Sequence, residues 1–133
     1  MSKVDALHAD LVRAVDALDE ACRRRAADTS GDTLIRDGLI QRFEFSFELA
    51  GKTMQAAAAL EGVAVRSPKT ALAQALQSGW LQDETLWFRT LEARNLSSHT
   101  YSAPLAEEVA GEIPRFLPAL RALLAALPQF PAA

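Results

Sequence analysis

Cysteine is nearly missing from this chain, and long apolar runs are missing altogether. A single cysteine, Cys22, in 133 residues cannot close an internal disulfide, so the fold has to rest on an apolar core. No stretch approaches the roughly 18 uncharged apolar residues of a membrane-spanning helix, so no span is expected. Two histidines, one cysteine and scattered carboxylates do not assemble a ligand set, so neither a metal nor a cofactor is expected. There is no glycine-rich phosphate loop and no serine-centred elbow. A positive excess is also lacking. Lysine and arginine number 14 against 17 aspartates and glutamates, a formal net charge of −3. Proteins that grip long nucleic acid by neutralising phosphates are usually basic, so a broad nucleic-acid surface is excluded and a small basic pocket for one phosphate is not. The first residues, Met1 to Leu11, carry charge from Lys3 and Asp5 onward and hold no apolar leader segment. A cytoplasmic location is the expectation.

What is present is apolar residues at helical spacing. Half of the chain is hydrophobic, enough for a core at this length. Val4, Leu7, Leu11, Ala14, Leu18 and Ala21 step by three and four and predict a first helix over 3–26. Cys22 falls on that stripe and reads as core. His8 lies beside it and reads as surface. Arg23, Arg24 and Arg25 close the helix, where positive charge suits the carbonyl end. The loop Asp28–Asp32 follows, with Ser30 or Asp32 as the next N-cap.

A second helix runs to about Glu61 and is stopped by Gly62. Ile35, Leu39, Phe43, Phe47, Ala50, Met54 and Ala57 form one stripe, and Leu34, Phe45, Leu49 and Ala56 form part of another. Apolar residues on two faces mark a central helix, or one that also meets another subunit. Ser67-Pro68 opens a short third helix that ends at Gly79. Asp83 caps a fourth, ending between Arg94 and His99. Ser102 and Pro104 open a fifth, with Leu105, Val109, Ile113, Phe116, Leu120, Leu123 and Leu127 as its stripe. Pro114 and Pro118 interrupt it, but the stripe keeps its phase, so a kink near Gly111–Pro114 is predicted and not a terminus. The fold class is all-α: an up-and-down four-helix bundle with one short connecting helix. Residues 1–127 read as a single domain and residues 128–133, with Pro128 and Pro131, as a loose tail.

The segment Arg94-Asn95-Leu96-Ser97-Ser98-His99-Thr100-Tyr101 is the best-marked candidate site. It gathers one of two histidines and the only tyrosine. Arg94 and His99 are five apart, roughly 140° around a regular helix, and converge only if the helix turns there. Arginine offers a fork of donors for phosphate, and imidazole can take a proton from a hydroxyl near neutral pH. The same residues also make a plain polar helix terminus, with Arg94 on carbonyls. Glu44, Glu48 and Lys52 repeat every four residues on the second helix. They are either an ordinary ladder of i,i+4 pairs or part of the groove that holds Arg94.

The run from Arg36 through Glu44, Phe45 and Glu48 to Ala50, then Ser67-Pro68, then Arg94 to Tyr101, resembles the nucleotidyltransferase substrate-binding protein family. That family belongs to the HEPN superfamily and is related to the HepT toxins. The similarity covers roughly Ile35 to Leu127. It implies a HEPN-type bundle, a homodimer and a partner that is a small separate nucleotidyltransferase chain. Nucleotide or RNA would be the ligand, with no membrane involved. The substrate-binding residues it implies are Asn95, Ser98, Tyr101, Glu44, Glu48 and Lys52. In HepT-like members an R-x4-H-x-Y pattern forms a metal-independent RNase site at the dimer interface of a toxin–antitoxin pair. That pattern maps here onto Arg94 and His99 as catalytic residues, with Tyr101 as a possible AMPylation site. One departure is Gly51 before Lys52, where the family commonly has tryptophan.

Overall fold

The first four helices begin where a side chain meets the free backbone N–H groups of the first turn. In the computed structural model, which describes residues 2–127, α1 spans Lys3–Ala27 and opens on a capping box. The Ser2 hydroxyl accepts from the Asp5 amide at 3.1 Å, and the Asp5 carboxylate accepts from the Ser2 amide at 3.2 Å. α2 spans Thr33–Leu60, and its cap is Asp32, whose Oδ1 accepts from the Leu34 amide at 3.0 Å. Ser30 instead bonds Asp28, so of the two candidate caps the aspartate acts. That hydroxyl contact and the neighbouring amides hold the Asp28 carboxyl below its ordinary value. α3 spans Pro68–Gln77 and is boxed by Ser67 and Thr70. α4 spans Glu84–Leu96 and is capped by Asp83. Gly31, Gly62 and Gly79 end or link these helices at positive φ, a conformation that a side chain disfavours.

The fifth helix of the sequence reading is broken in two. α5 covers Ala103–Glu112 and α6 covers Leu117–Ala126, joined by a 3₁₀ turn over Ile113–Phe116. Pro114 falls in the first turn of the 3₁₀ segment and Pro118 in the first turn of α6. There a missing N–H leaves no ladder bond unmade. The stripe does keep its phase, with Val109, Ile113, Phe116, Leu120, Leu123 and Leu127 all buried, but the α-helix ends at Glu112, so the break is a terminus and not the kink that the sequence predicts. Ser102 occupies the cap position of α5, but its side chain makes no cap bond. The predicted tail, 128–133, lies outside the described residues.

α1, α2, α4 and the kinked α5–α6 pair form the bundle, α3 connects, and α1 against α2 is the most extensive pairing. No strand occurs among the described residues. Phe43 sits at the centre, its ring 5.6 Å from Phe116 and 6.3 Å from Phe47. Trp87, Leu11, Leu18, Leu39 and Leu72 pack around them. Buried hydroxyls on α2 and α4 bond back one turn: Ser46 to the Arg42 carbonyl at 3.0 Å and Thr90 to that of Leu86 at 2.9 Å.

Several sequence assignments shift. Val15 is fully buried, whereas Leu7 and Ala14 are half-buried, because α1 turns its core face slightly past the predicted stripe. Trp80 and Leu81, between α3 and α4, are core residues that no periodicity announced. His8 is not a free surface residue. It is half-buried, and Nε2 lies 2.9 Å from the Leu124 carbonyl, tying α1 to α6. Cys22 is in the core as expected. Burial, with Asp19 nearby, pushes its thiol up to about 11, so it is an inert hydrophobe.

Candidate functional site

At the end of α4 three hydroxyls each bond a carbonyl three residues back. Ser97 Oγ lies 2.7 Å from the Arg94 carbonyl, Ser98 Oγ donates to that of Asn95 at 2.9 Å, and Thr100 Oγ1 to that of Ser97 at 2.9 Å. These are carbonyls the helix leaves unpaired at its end. Side-chain bonds at i−3 spacing tighten the chain, and Ser97–His99 is accordingly a 3₁₀ turn. The helix does turn between Arg94 and His99, tightened by the serine–threonine run.

The residues then divide into two groups. Arg94, on α4, points at α2: its Nη1 lies 3.2 Å from Glu44 Oε2 and 3.2 Å from Ser97 Oγ. Ser97 closes the triangle, its hydroxyl 2.9 Å from the same carboxylate oxygen. Ser97 is 3% exposed, and the arginine and glutamate side chains are about one-third exposed, at 35% and 31%. Ser97 was not singled out from the sequence. Its place three residues after Arg94, on the same helix face, was the available signal. Both guanidinium contacts use Nη1, which leaves the Nε and Nη2 donors of the fork for a ligand.

His99 and Tyr101 form the second group. Their rings meet edge to face at 6.0 Å and 83°, and Tyr101 is 87% exposed. His99, Ser98 and Asn95 are exposed as well. Within one chain the partners of Arg94 are Glu44 and Ser97, and the ring partner of His99 is Tyr101. The Glu44–Glu48–Lys52 ladder also divides. Glu44 belongs to the arginine, whereas Glu48 and Lys52 pair at 3.3 Å with both side chains more than half exposed. An exposed i,i+4 pair of that kind is worth a few tenths of a kcal/mol.

Between α2, the start of α3 and the end of α4 runs a groove of about 410 Å³. Phe47, Leu91 and Pro68 supply apolar wall, Lys52 and Arg94 cationic groups, and Gln55 and Asn95 amides. Glu48 and Gly51 complete it, and a Cβ placed on Gly51 meets nothing within 4 Å. The missing side chain leaves room in the groove. Its size and its mixed lining are those of a small-molecule site. Among the described residues no group of three or more histidine, cysteine, aspartate or glutamate side chains is placed to hold a metal.

The helical bundle is of the kind seen in substrate binding domains of nucleotidyltransferases. The chain belongs to the nucleotidyltransferase substrate binding protein-like family, whose pattern matches residues 8–129. A Haemophilus influenzae protein described as a probable ribonuclease HepT is 37% identical over 91 residues, 65% of this chain and 62% of that protein, so less than two thirds of the relative is spanned. A Thermus thermophilus protein of known crystal structure superposes with a TM-score of 0.78 at 30% identity, covering 90% of this chain and 99% of the other. A second Haemophilus influenzae structure, described as revealing the fold of a substrate binding domain of a nucleotidyltransferase, superposes with a TM-score of 0.66 at 28% identity. It covers 95% of this chain and 97% of that one. The resemblance read from the helix-two run and the RNLSSHTY segment is the family found.

Proposed function

We propose that this chain is the substrate-binding subunit of a two-component nucleotidyltransferase. It works in the cytoplasm as a homodimer beside a separate small nucleotidyltransferase chain. The observation that carries the reading is the α2–α4 groove, where Lys52 and Arg94 border apolar wall and side-chain amides. A nucleotide presents that combination in reverse: anionic phosphate, a flat ring and polar ring edges. Glu44 and Ser97 hold Arg94 by one nitrogen, so its orientation is set before a ligand arrives. Glu48 and Asn95 line the groove with Lys52 and Arg94, and Ser98 and Tyr101 complete the proposed substrate-binding set.

A second reading has its own support. The R-x4-H-x-Y residues are intact, and the probable ribonuclease HepT is among the relatives. In that reading the chain is the toxin of a toxin–antitoxin pair. His99 takes the proton of a ribose 2′-OH, and Arg94 stabilises charge on the phosphorus. Tyr101, 87% exposed, is open to adenylylation by the partner.

One experiment separates the two. The purified full chain is titrated with ATP and, in parallel, incubated with RNA. Binding of ATP that falls roughly ten-fold or more in Arg94→Ala, with RNA left intact, supports the binding subunit. RNA cleavage lost in a folded His99→Ala supports the nuclease. If the chain binds no nucleotide, leaves RNA whole and does not associate with a small nucleotidyltransferase, both readings fall.

A further inference from the structure

The outer face of α2 carries large apolar side chains that nothing among the described residues covers. Leu34 is 74% exposed and Phe45 54% exposed. Eleven residues separate them, about three helical turns, so they lie on one side of the helix with Gly38 and Gln41 between. Beside Gly38 the surface sinks. A hollow of about 240 Å³ is lined by Ala21, Leu34, Ile35, Gly38 and Leu39, together with Arg24 and Arg42. A Cβ at Gly38 meets nothing within 4 Å. One helix face therefore bears both a protruding ring and an empty apolar hollow, seven residues or about two turns apart.

We propose that this face is self-complementary: a second copy of the chain docks antiparallel on α2, and Phe45 of each copy fills the hollow over Gly38 of the other. The inference rests on the homodimer reading above and gives it a register. In an isologous pair the two-fold axis lies midway between contacting positions. The midpoint of Phe45 and Gly38 falls between Gln41 and Arg42. The midpoint of Leu34 and the half-buried Leu49 falls at the same place, so one axis buries both exposed apolar residues at once. That axis also carries Lys52 of one copy to the Gly31–Asp32 loop of the other, where the Asp28 and Asp32 carboxylates lie. The two Arg42 side chains flank the axis, each drawn toward α1 by a hydrogen bond to the Ala17 carbonyl at 2.8 Å. The guanidinium groups lining the hollow suit an aromatic ring better than an aliphatic one. Glu44 stands on the flank of this face near the axis, so the two Glu44–Arg94 pairs border the interface and open onto the same side of it.

Sedimentation velocity on the full-length chain tests this. The wild type is expected to run as a dimer at micromolar concentration. Gly38→Arg, which fills the hollow, and Phe45→Glu, which removes the ring, are expected to associate roughly 100-fold more weakly while keeping the helical circular dichroism. In a Cys22→Ala background, Gln41→Cys is expected to cross-link to its mate with a short bis-maleimide, a readout independent of either interface variant. A monomeric wild type overturns the inference and the homodimer reading together. A dimeric wild type whose Gly38→Arg and Phe45→Glu variants stay dimeric, or whose Gln41→Cys does not cross-link, overturns this register alone.

Discussion

One nitrogen of Arg94 is committed to Glu44 and Ser97, and the side chain lines the groove. A pair about one-third exposed adds little to stability, because water and salt screen it. Its value lies in orientation. Glu44→Gln keeps the size of the side chain and removes its charge, so the expected stability loss is small, about 0.5 kcal/mol or less. The guanidinium loses its fixed counter-charge, and ligand affinity or RNA cleavage should change by more than stability does. Urea denaturation beside ATP titration checks this. Equal losses in both would reduce Glu44 to a structural role. Cys22 makes the opposite case at the same scale. A lone cysteine looks reactive in a sequence, yet here burial raises the thiol to about 11.

Helix ends decide the elements. α2 is the longest helix, 28 residues, and its first turn holds no acidic residue, so Asp32 is the main negative group at its N-terminus. Asp32→Ala should cost about 1 kcal/mol, read as a lower urea midpoint at unchanged slope. A shift below a few tenths would mean that water replaces the cap. Inside the same helix, Gly51 is a weak helix former with open space around its missing Cβ. Gly51→Ala should stabilise the chain by up to about 1 kcal/mol. α5 and α6 show how prolines are tolerated. Each stands where a new helical segment begins, and the apolar stripe runs on through the break.

At the scale of the molecule, charge pairs tie the helices where α1 ends and α2 begins. Glu107 on α5 meets Arg36 on α2 and Arg25 on α1. The Arg36 hydrogen bond, and then the Arg25 charge, hold the Glu107 carboxyl below its usual value of 4.5. A carboxyl with a depressed folded pKa stabilises the fold fully above the ordinary glutamate range. That contribution is lost as pH falls through the lower folded value. Wild type should therefore lose more stability between neutral and acid pH than Glu107→Gln does, measured by thermal melts at matched ionic strength. Identical acid sensitivity in both would show that Glu107 takes no part. Arg121 makes a similar clamp from α6 to Asp16 and Asp19 on α1.

The local chemistry of this chain was readable one residue at a time. Capping residues, positive-φ glycines and the phase of apolar side chains depend on neighbours within a few positions, so the helices, the connecting segment and the place of the proline break follow from the sequence alone. So does the polar segment from Arg94 to Tyr101, because its composition stands out against apolar surroundings. Three things depended on which distant residues meet. Glu44 separated from Glu48 and Lys52 only because Arg94 arrives from α4 to take its carboxylate. Trp80 and Leu81 became core, and His8 found the Leu124 carbonyl, through packing that no period encodes. Exposure of Leu34 and Phe45 was decided in the same way. Their face of α2 is apolar by sequence, but whether another helix of the chain covers it is set by how the bundle closes, and the bundle leaves it open.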